Sequence, residues 1–271
     1  MDWIQGEKFQ TIADYTYTPQ DMAPCDYIGY RNTLDLNLLK DGDIIYAQGF
    51  THYKRQLLDV IRDKQKVILI THNCDNHVDD SFDLPDNVIR WYAENLNVIN
   101  HRIDSIPLGI ENDHWQAESH KKDKMIAKMG KPRNYRNLMY MNHNVINCPS
   151  ERLKPYELFE GKSWVTSVRG KNGMDFDWYL ENIYNHRFVI SPRGTGLDTV
   201  RTWECLYMGT IPIEKRNINN QFYTDLPICF VDDWEEITEE YLERWLAGSS
   251  WQTWNMEKLT FEYWKNKIKN T

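Results

Sequence analysis

FVISPRGTGLDTVRTWECLYMGTIPI, Phe188 to Ile213, reads as strand, glycine-rich turn, helix and second strand. Phe188-Val189-Ile190 is a short apolar run with β-branched residues. Ser191 to Gly196 holds Pro192, Gly194 and Gly196, which mark a turn. Asp198 to Met208 carries Val200, Trp203, Leu206 and Tyr207 at helical spacing. Thr195 and Asp198 have the spacing of a capping box, with Asp where Glu or Gln is usual. Gly209 predicts the helix end, and Ile211-Pro212-Ile213 opens another extended run. A glycine-rich turn that feeds a helix presents free N–H groups and a positive dipole end, which together suit an anion. Arg193 on the turn and Arg201 on the helix suit a diphosphate in particular.

Working outward, the flanking sequence alternates strands and helices, which predicts parallel α/β sheets. Before the turn come strands at 43–47 and 66–70 around a helix at 53–64, a short helix at 88–95 and extended pieces at 98–99 and 103–110. Lys66-Val67-Ile68-Leu69-Ile70 is nearly all apolar, as in a strand covered on both faces. A second block has strands at 138–141, 164–168 and 228–231, with helices at 150–159, 176–184 and 235–246. The basic stretch HKKDKMIAKMGKPRNYRN, broken by Gly130 and Pro132, separates the two. The expected organisation is a Rossmann-like domain at 1–125, a linker at 126–137, a second such domain at 138–248 and a final helical piece at 249–271, helical from Trp251 to Lys269.

With 271 residues the chain is long enough for two small domains. A net charge of −8 argues against nucleic acid or an anionic membrane as the main partner. No apolar run approaches membrane-spanning length, and MDWIQGEKFQ lacks the features of a signal peptide, so a cytoplasmic location is expected. Cys25, Cys74, Cys148, Cys205 and Cys229 include no CxxC pair, so free thiols are expected rather than a structural zinc site.

Several residues suit chemistry, each with a plainer alternative. Arg193, Gly194, Thr195 and Gly196 form either a phosphate cradle or simply a tight turn. The sequence is neither a Walker A motif nor a GxGxxG. Asp198, Arg201 and Glu204 share one helix side; Glu204 could hold a ribose, or pair with Arg201. THNCDNHVDD, with His72, Asn73, Asp75, His77, Asp79 and Asp80, follows a buried strand and could supply a general base, a divalent-metal site or a polar cap. Asn142, His143, Asn144 and Arg152, and then Arg169 and Lys171, follow strands of the second block; the arginines are further phosphate ligands or surface charges. Glu111, Asp113, His114 and Trp115 follow IPLGI, and Trp115 suits stacking on a sugar or burial in the core.

SPRGTGLDTVRTWECLYMGTIPI is similar to the C-terminal motif of exostosin-like glycosyltransferases, including short bacterial and viral members. THNCD, WYAENLNV (Trp91 to Val98) and IPLGIEN (Ile106 to Asn112) resemble motifs of their N-terminal half, in the same order. The resemblance implies a GT-B fold, with two Rossmann-like domains and a cleft between them. It implies inverting sugar transfer from a nucleotide sugar, usually a UDP-sugar, to a glycan acceptor, with no obligatory metal or cofactor. It places Arg193 to Gly196 and Arg201 at the diphosphate and Glu204 at the ribose; Asp198, Arg152 and Arg169 join the nucleotide-sugar candidates from the reading of the residues alone. Asp75 is the favoured base, with His72 as its rival, and Asn73, Glu111 and Trp115 are expected at the acceptor. The last helix would brace the first domain. The membrane anchor of animal exostosins and their second catalytic domain have no counterpart in this sequence. A metal-dependent phosphoesterase built on the 72–80 loop and a non-catalytic sugar-binding module are the alternatives.

Overall fold

The structure is a computed structural model that describes residues 1–17, 32–113, 120–169, 175–249 and 253–271. Two five-stranded sheets, each entirely parallel, form its two lobes. The first comprises β1 (Tyr15–Tyr17), β2 (Ile44–Gln48), β3 (Val67–His72), β4 (Val88–Ala93) and β5 (Ile103–Ser105), side by side in chain order. The second comprises β6 (Met139–Met141), β7 (Val165–Ser167), β8 (Phe188–Ile190), β9 (Ile211–Lys215) and β10 (Cys229–Val231), in the order β10-β9-β8-β6-β7. Cys25, Trp115, Lys171 and Trp251 lie outside the described residues.

Side-chain alternation assigns the faces of the first sheet. Ile45, Ala47, Leu69 and Trp91 pack under helix α2 (Thr51–Ile61) through Leu57, Leu58 and Ile61. Ile44, Tyr46, Ile68, Ile70 and Tyr92 face the other way, into a cluster shared by both lobes. That cluster also takes Phe9 of helix α1 (Gly6–Thr11) and Met125 of helix α3 (Lys121–Lys128). Each fully buried Ile or Phe there contributes roughly 1.5–3 kcal/mol.

In the second lobe, Met139, Met141, Phe188, Ile190, Ile211 and Ile213 face Tyr156 and Phe159 of helix α4 (Pro149–Phe159). Tyr140 and Val189, on the opposite face, join the shared cluster with Leu180 and Ile183 of helix α5 (Phe176–Tyr184). Trp203, Leu206 and Tyr207 of helix α6 (Val200–Tyr207) lie in the same cluster. Helix α7 (Glu239–Gly248) covers the β10 side through Leu242. Helix α8 (Phe261–Lys269) returns to the first lobe. There Phe261 meets Phe9 at 5.3 Å, and Lys267 pairs with Asp104 at 3.3 Å.

Three local expectations need correction. Val88–Ala93 is a strand, not a short helix. Its Val, Ile, Trp and Tyr side chains suit a pleated surface, β3 supplies the pairing, and Trp91 Nε1 donates to Thr71 Oγ1 at 2.9 Å. Helix α3 occupies the first half of the basic stretch and ends at its C-cap Met129, just before Gly130. The final helix begins at Phe261; a 3-10 turn at Met256–Leu259 precedes it.

Helix α6 starts at Val200, with Thr199 as N-cap and no side-chain cap. The predicted Thr195/Asp198 box does not form, because the Asp198 carboxylate is used elsewhere. It accepts from Leu108 N at 2.9 Å, Thr199 N at 2.7 Å and Trp203 Nε1 at 2.9 Å.

Candidate functional site

Ligands of open parallel sheets sit beyond the carboxyl ends of the strands, where the winding order reverses. The first sheet, wound in one direction, has no such reversal. The second reverses between β6 and β8. Asn142 and His143 leave β6 at that point, and Ser191 to Gly196 leave β8. Strand order therefore selects the glycine-rich turn independently of its composition.

Three arginines meet there in different states. Arg152, on α4, is buried and holds the turn from beneath: Nε donates to Arg193 O at 2.8 Å, Nη2 to Pro192 O at 3.3 Å and Nη1 to Asn144 O at 2.9 Å. Arg201 donates to Asn142 Oδ1 and lies over the Tyr179 ring, 5.3 Å from its centroid. The Arg193 guanidinium has no hydrogen bond or ion pair among the described residues, and it lines a pocket beside the turn. The N–H groups of Gly194, Thr195 and Gly196 likewise donate to no described residue.

One part of the expected cradle is already occupied. Asn95 Oδ1, from the first lobe, accepts from Leu197 N at 2.7 Å and Asp198 N at 3.0 Å. A Cβ on Gly196 would lie 2.8 Å from that oxygen, so glycine permits this approach. His77 Nε2 meets Thr195 O at 3.2 Å from the same side. The turn is thus latched to the first lobe.

The other expected residues divide. Glu204 is buried and accepts from Tyr179 O–H at 2.6 Å; burial pushes its carboxyl up, while Tyr179 and Arg201 hold it down. Asp75 is exposed at the carboxyl end of β3, and its charge reaches Arg152 across the cleft. His72 has no exposed surface. Its ring stacks on Phe9 at 5.2 Å, Nε2 meets Pro107 O at 3.0 Å, and Nδ1 lies 3.1 Å from Glu94. In this arrangement it cannot meet a substrate hydroxyl. Asn73 Nδ2 donates to Tyr46 Oη at 2.9 Å and Asn73 Oδ1 accepts from Asn112 Nδ2 at 3.0 Å, and Glu111 pairs with Lys121. Asp198 is the structural anchor already described. Arg169 is exposed and forms a two-armed pair with Glu160 at 3.2 and 2.6 Å, so it stands apart from the cradle. Trp115 lies outside the described residues.

Two buried carboxylates were missed. Glu94 ends β4 beside His72, and its Oε1 accepts from Cys74 N. Glu214, within β9, accepts from Thr202 Oγ1 and from Asn220 Nδ2 at 3.1 Å. The available signal was a single acid at the end of an apolar run, in WYAEN and IPIEK. His143 is neutral: burial, then the charge of Arg201, pulls it down to about 3.

Burial pushes Glu214 up to about 8. The folded chain therefore keeps a proton that the unfolded chain releases near its ordinary value of 4.5. Stability falls as pH rises from that value through about 8. The melting temperature should drop between pH 6 and pH 8, and Glu214→Gln should flatten the drop. A thermal-melt series at both pH values checks this.

Among the described residues no three His, Cys, Asp or Glu side chains converge as a metal would need. In the 72–80 loop His72 turns inward to Glu94, His77 faces Thr195, and Asp79 accepts from Ser81 Oγ at 2.6 Å. No helix among the described residues is long and apolar enough to cross a membrane. Comparison with protein-family models and with curated proteins finds no match to this chain. The two parallel sheets make it an α/β protein of two Rossmann-like lobes.

Proposed function

We propose that this chain is an inverting glycosyltransferase of GT-B type. It would move a sugar from a nucleotide sugar, a UDP-sugar by its resemblance to exostosin-like enzymes, to a hydroxyl of a glycan. The observation that carries this reading is the unpaired Arg193 guanidinium. It belongs to the turn that leaves β8 at the strand-order reversal, whose N–H groups at 194–196 donate to no described residue; Arg201 lies on the helix that follows, and the Asp75 charge reaches Arg152 beneath the turn. A phosphoesterase built on the 72–80 loop would need converging metal ligands, which the described residues do not provide.

The chemistry follows from charge placement. An acceptor hydroxyl attacks the anomeric carbon while Asp75 takes its proton. The bond from that carbon to the diphosphate oxygen breaks, and the electron pair stays on the diphosphate. Arg193, Arg201 and the N–H groups at 194–196 stabilise the charge that develops there. Glu204 holds the ribose hydroxyls, which requires Tyr179 to yield its hydrogen bond.

UDP should raise the melting temperature, because a ligand bound only by the folded chain stabilises it. A response to GDP alone would change the donor class. No nucleotide response, together with destabilisation by EDTA, would move the reading to a metal hydrolase. Asp75→Asn should leave UDP affinity unchanged and slow transfer about 100-fold or more, the usual scale of general-base loss. Calorimetry beside a transfer assay separates the two, and full transfer in that variant would remove Asp75 from the mechanism.

A further inference from the structure

A pocket of about 220 Å³ opens between the carboxyl ends of β8 and β9, beside the turn. It lies one strand over from the reversal point, roughly 5 Å along the sheet. That is the distance from a bound diphosphate to the sugar it carries or to the acceptor beside it. Arg193, Lys215, Arg216 and Trp234 line it, together with Glu151 and Glu214.

Three cationic side chains and one indole N–H stand in this lining beside Glu151, Glu214, Ser191 and Asn217. Trp234 is buried, and its indole N–H has no hydrogen-bond partner among the described residues. Buried N–H groups normally have one, and indole can only donate. Arg193 is equally unpartnered. Lys215 is held loosely, at 3.5 Å from Glu151 and 3.7 Å from Asp233, and Arg216 sits 3.4 Å from Asp232. Asp232 and Asp233 are well exposed, so these contacts hold the cations only weakly. Glu214, pushed up to about 8 by burial, stays protonated at neutral pH and adds no opposing charge. Glu151 is then the single lining carboxylate against three cations.

Resting on the glycosyltransferase reading, we infer that this pocket binds a second anionic group, a carboxylate or phosphate carried by the transferred sugar or by the acceptor. A neutral hexose can accept from these donors, but it brings no charge to offset the excess of cations over carboxylates in the lining. An acceptor-only anion matches Arg193, Arg216 and the Trp234 N–H together.

Calorimetry on the intact chain tests the inference with UDP, UDP-glucose, UDP-glucuronate and free glucuronate. With UDP saturating, an acidic and a neutral oligosaccharide are then compared. An acidic ligand should bind about tenfold or more tightly than its neutral counterpart, the scale of one charge-assisted hydrogen bond. A preference for UDP-glucuronate assigns the anion to the donor; a preference confined to the oligosaccharides assigns it to the acceptor. Trp234→Phe keeps the ring and removes the N–H, and Arg216→Gln removes a cation outside the diphosphate cradle. Both should erase the preference and leave UDP affinity unchanged. UDP binding with no acid preference in any arm overturns the inference and leaves the transferase reading standing. Glucuronate binding that is lost in Trp234→Phe, without any UDP binding, supports the pocket and overturns that reading. Binding of none of these overturns both.

Discussion

On the proposed glycosyltransferase reading, Arg201→Ala should lower sugar transfer by about 10²–10³-fold, the loss typical of removing one preorganised donor to a developing oxyanion. Arg201 is preorganised by its surroundings: Asn142 Oδ1 accepts from it, and the Tyr179 ring lies against the guanidinium. UDP affinity should fall with transfer, because the diphosphate is bound before it leaves. The variant also removes the cation that helps hold buried Glu204 ionised, at a cost to stability on the order of 1–3 kcal/mol. A melting curve and circular dichroism therefore accompany the kinetics. Arg201→Lys keeps the charge and loses the planar fork, so it should recover stability more than transfer. Unchanged transfer in a folded Ala variant would dismiss the cradle.

The largest effect on stability is expected far from any charge. Gly109 has φ of +73°, and a Cβ there would lie 2.2 Å from Ile4 O and 2.6 Å from Ile4 C. Ile4 cannot step aside. Its O accepts from Ile110 N at 3.0 Å, and its N donates to Tyr207 Oη at 2.9 Å. Gly109→Ala combines a left-handed penalty of about 1–2 kcal/mol with an overpacking cost of about 1–3 kcal/mol. Gly130 is the matched control: its φ is also +73°, and no described residue lies within 4 Å of a Cβ placed there. Gly130→Ala should cost only the backbone part. Denaturant melts of both variants give the difference directly, and equal costs would contradict the packing of residue 4 against residue 109.

These two sites show where local pattern was sufficient. The strand, turn and helix of 188–213 were legible because apolar spacing and glycine act within a few residues. The apolar run at 66–70 was legible for the same reason. The short helix expected at 88–95 was misread because Trp91 and Tyr92 fit either element until β3 pairs with them. The capping box at Thr195 and Asp198 was misread because Asp198 finds better donors in Leu108 and Trp203, the first of them 90 residues away in sequence.

For the site, the residue types came from the sequence, and their assignments came from the fold. Glycines and arginines around residue 193 pointed to an anion turn, as an expectation, without any partner in view. Three-dimensional packing then decided that Arg152 is consumed by carbonyls, that the Arg193 side chain has no partner among the described residues and that Arg169 is paired on the surface. It also turned His72 inward to Glu94 and closed two of the turn's N–H groups with Asn95. Periodicity and turn chemistry depend on neighbours along the chain and can be read there. Whether a charged or polar group is available to a ligand depends on who reaches it through space, and only the packed structure decides that.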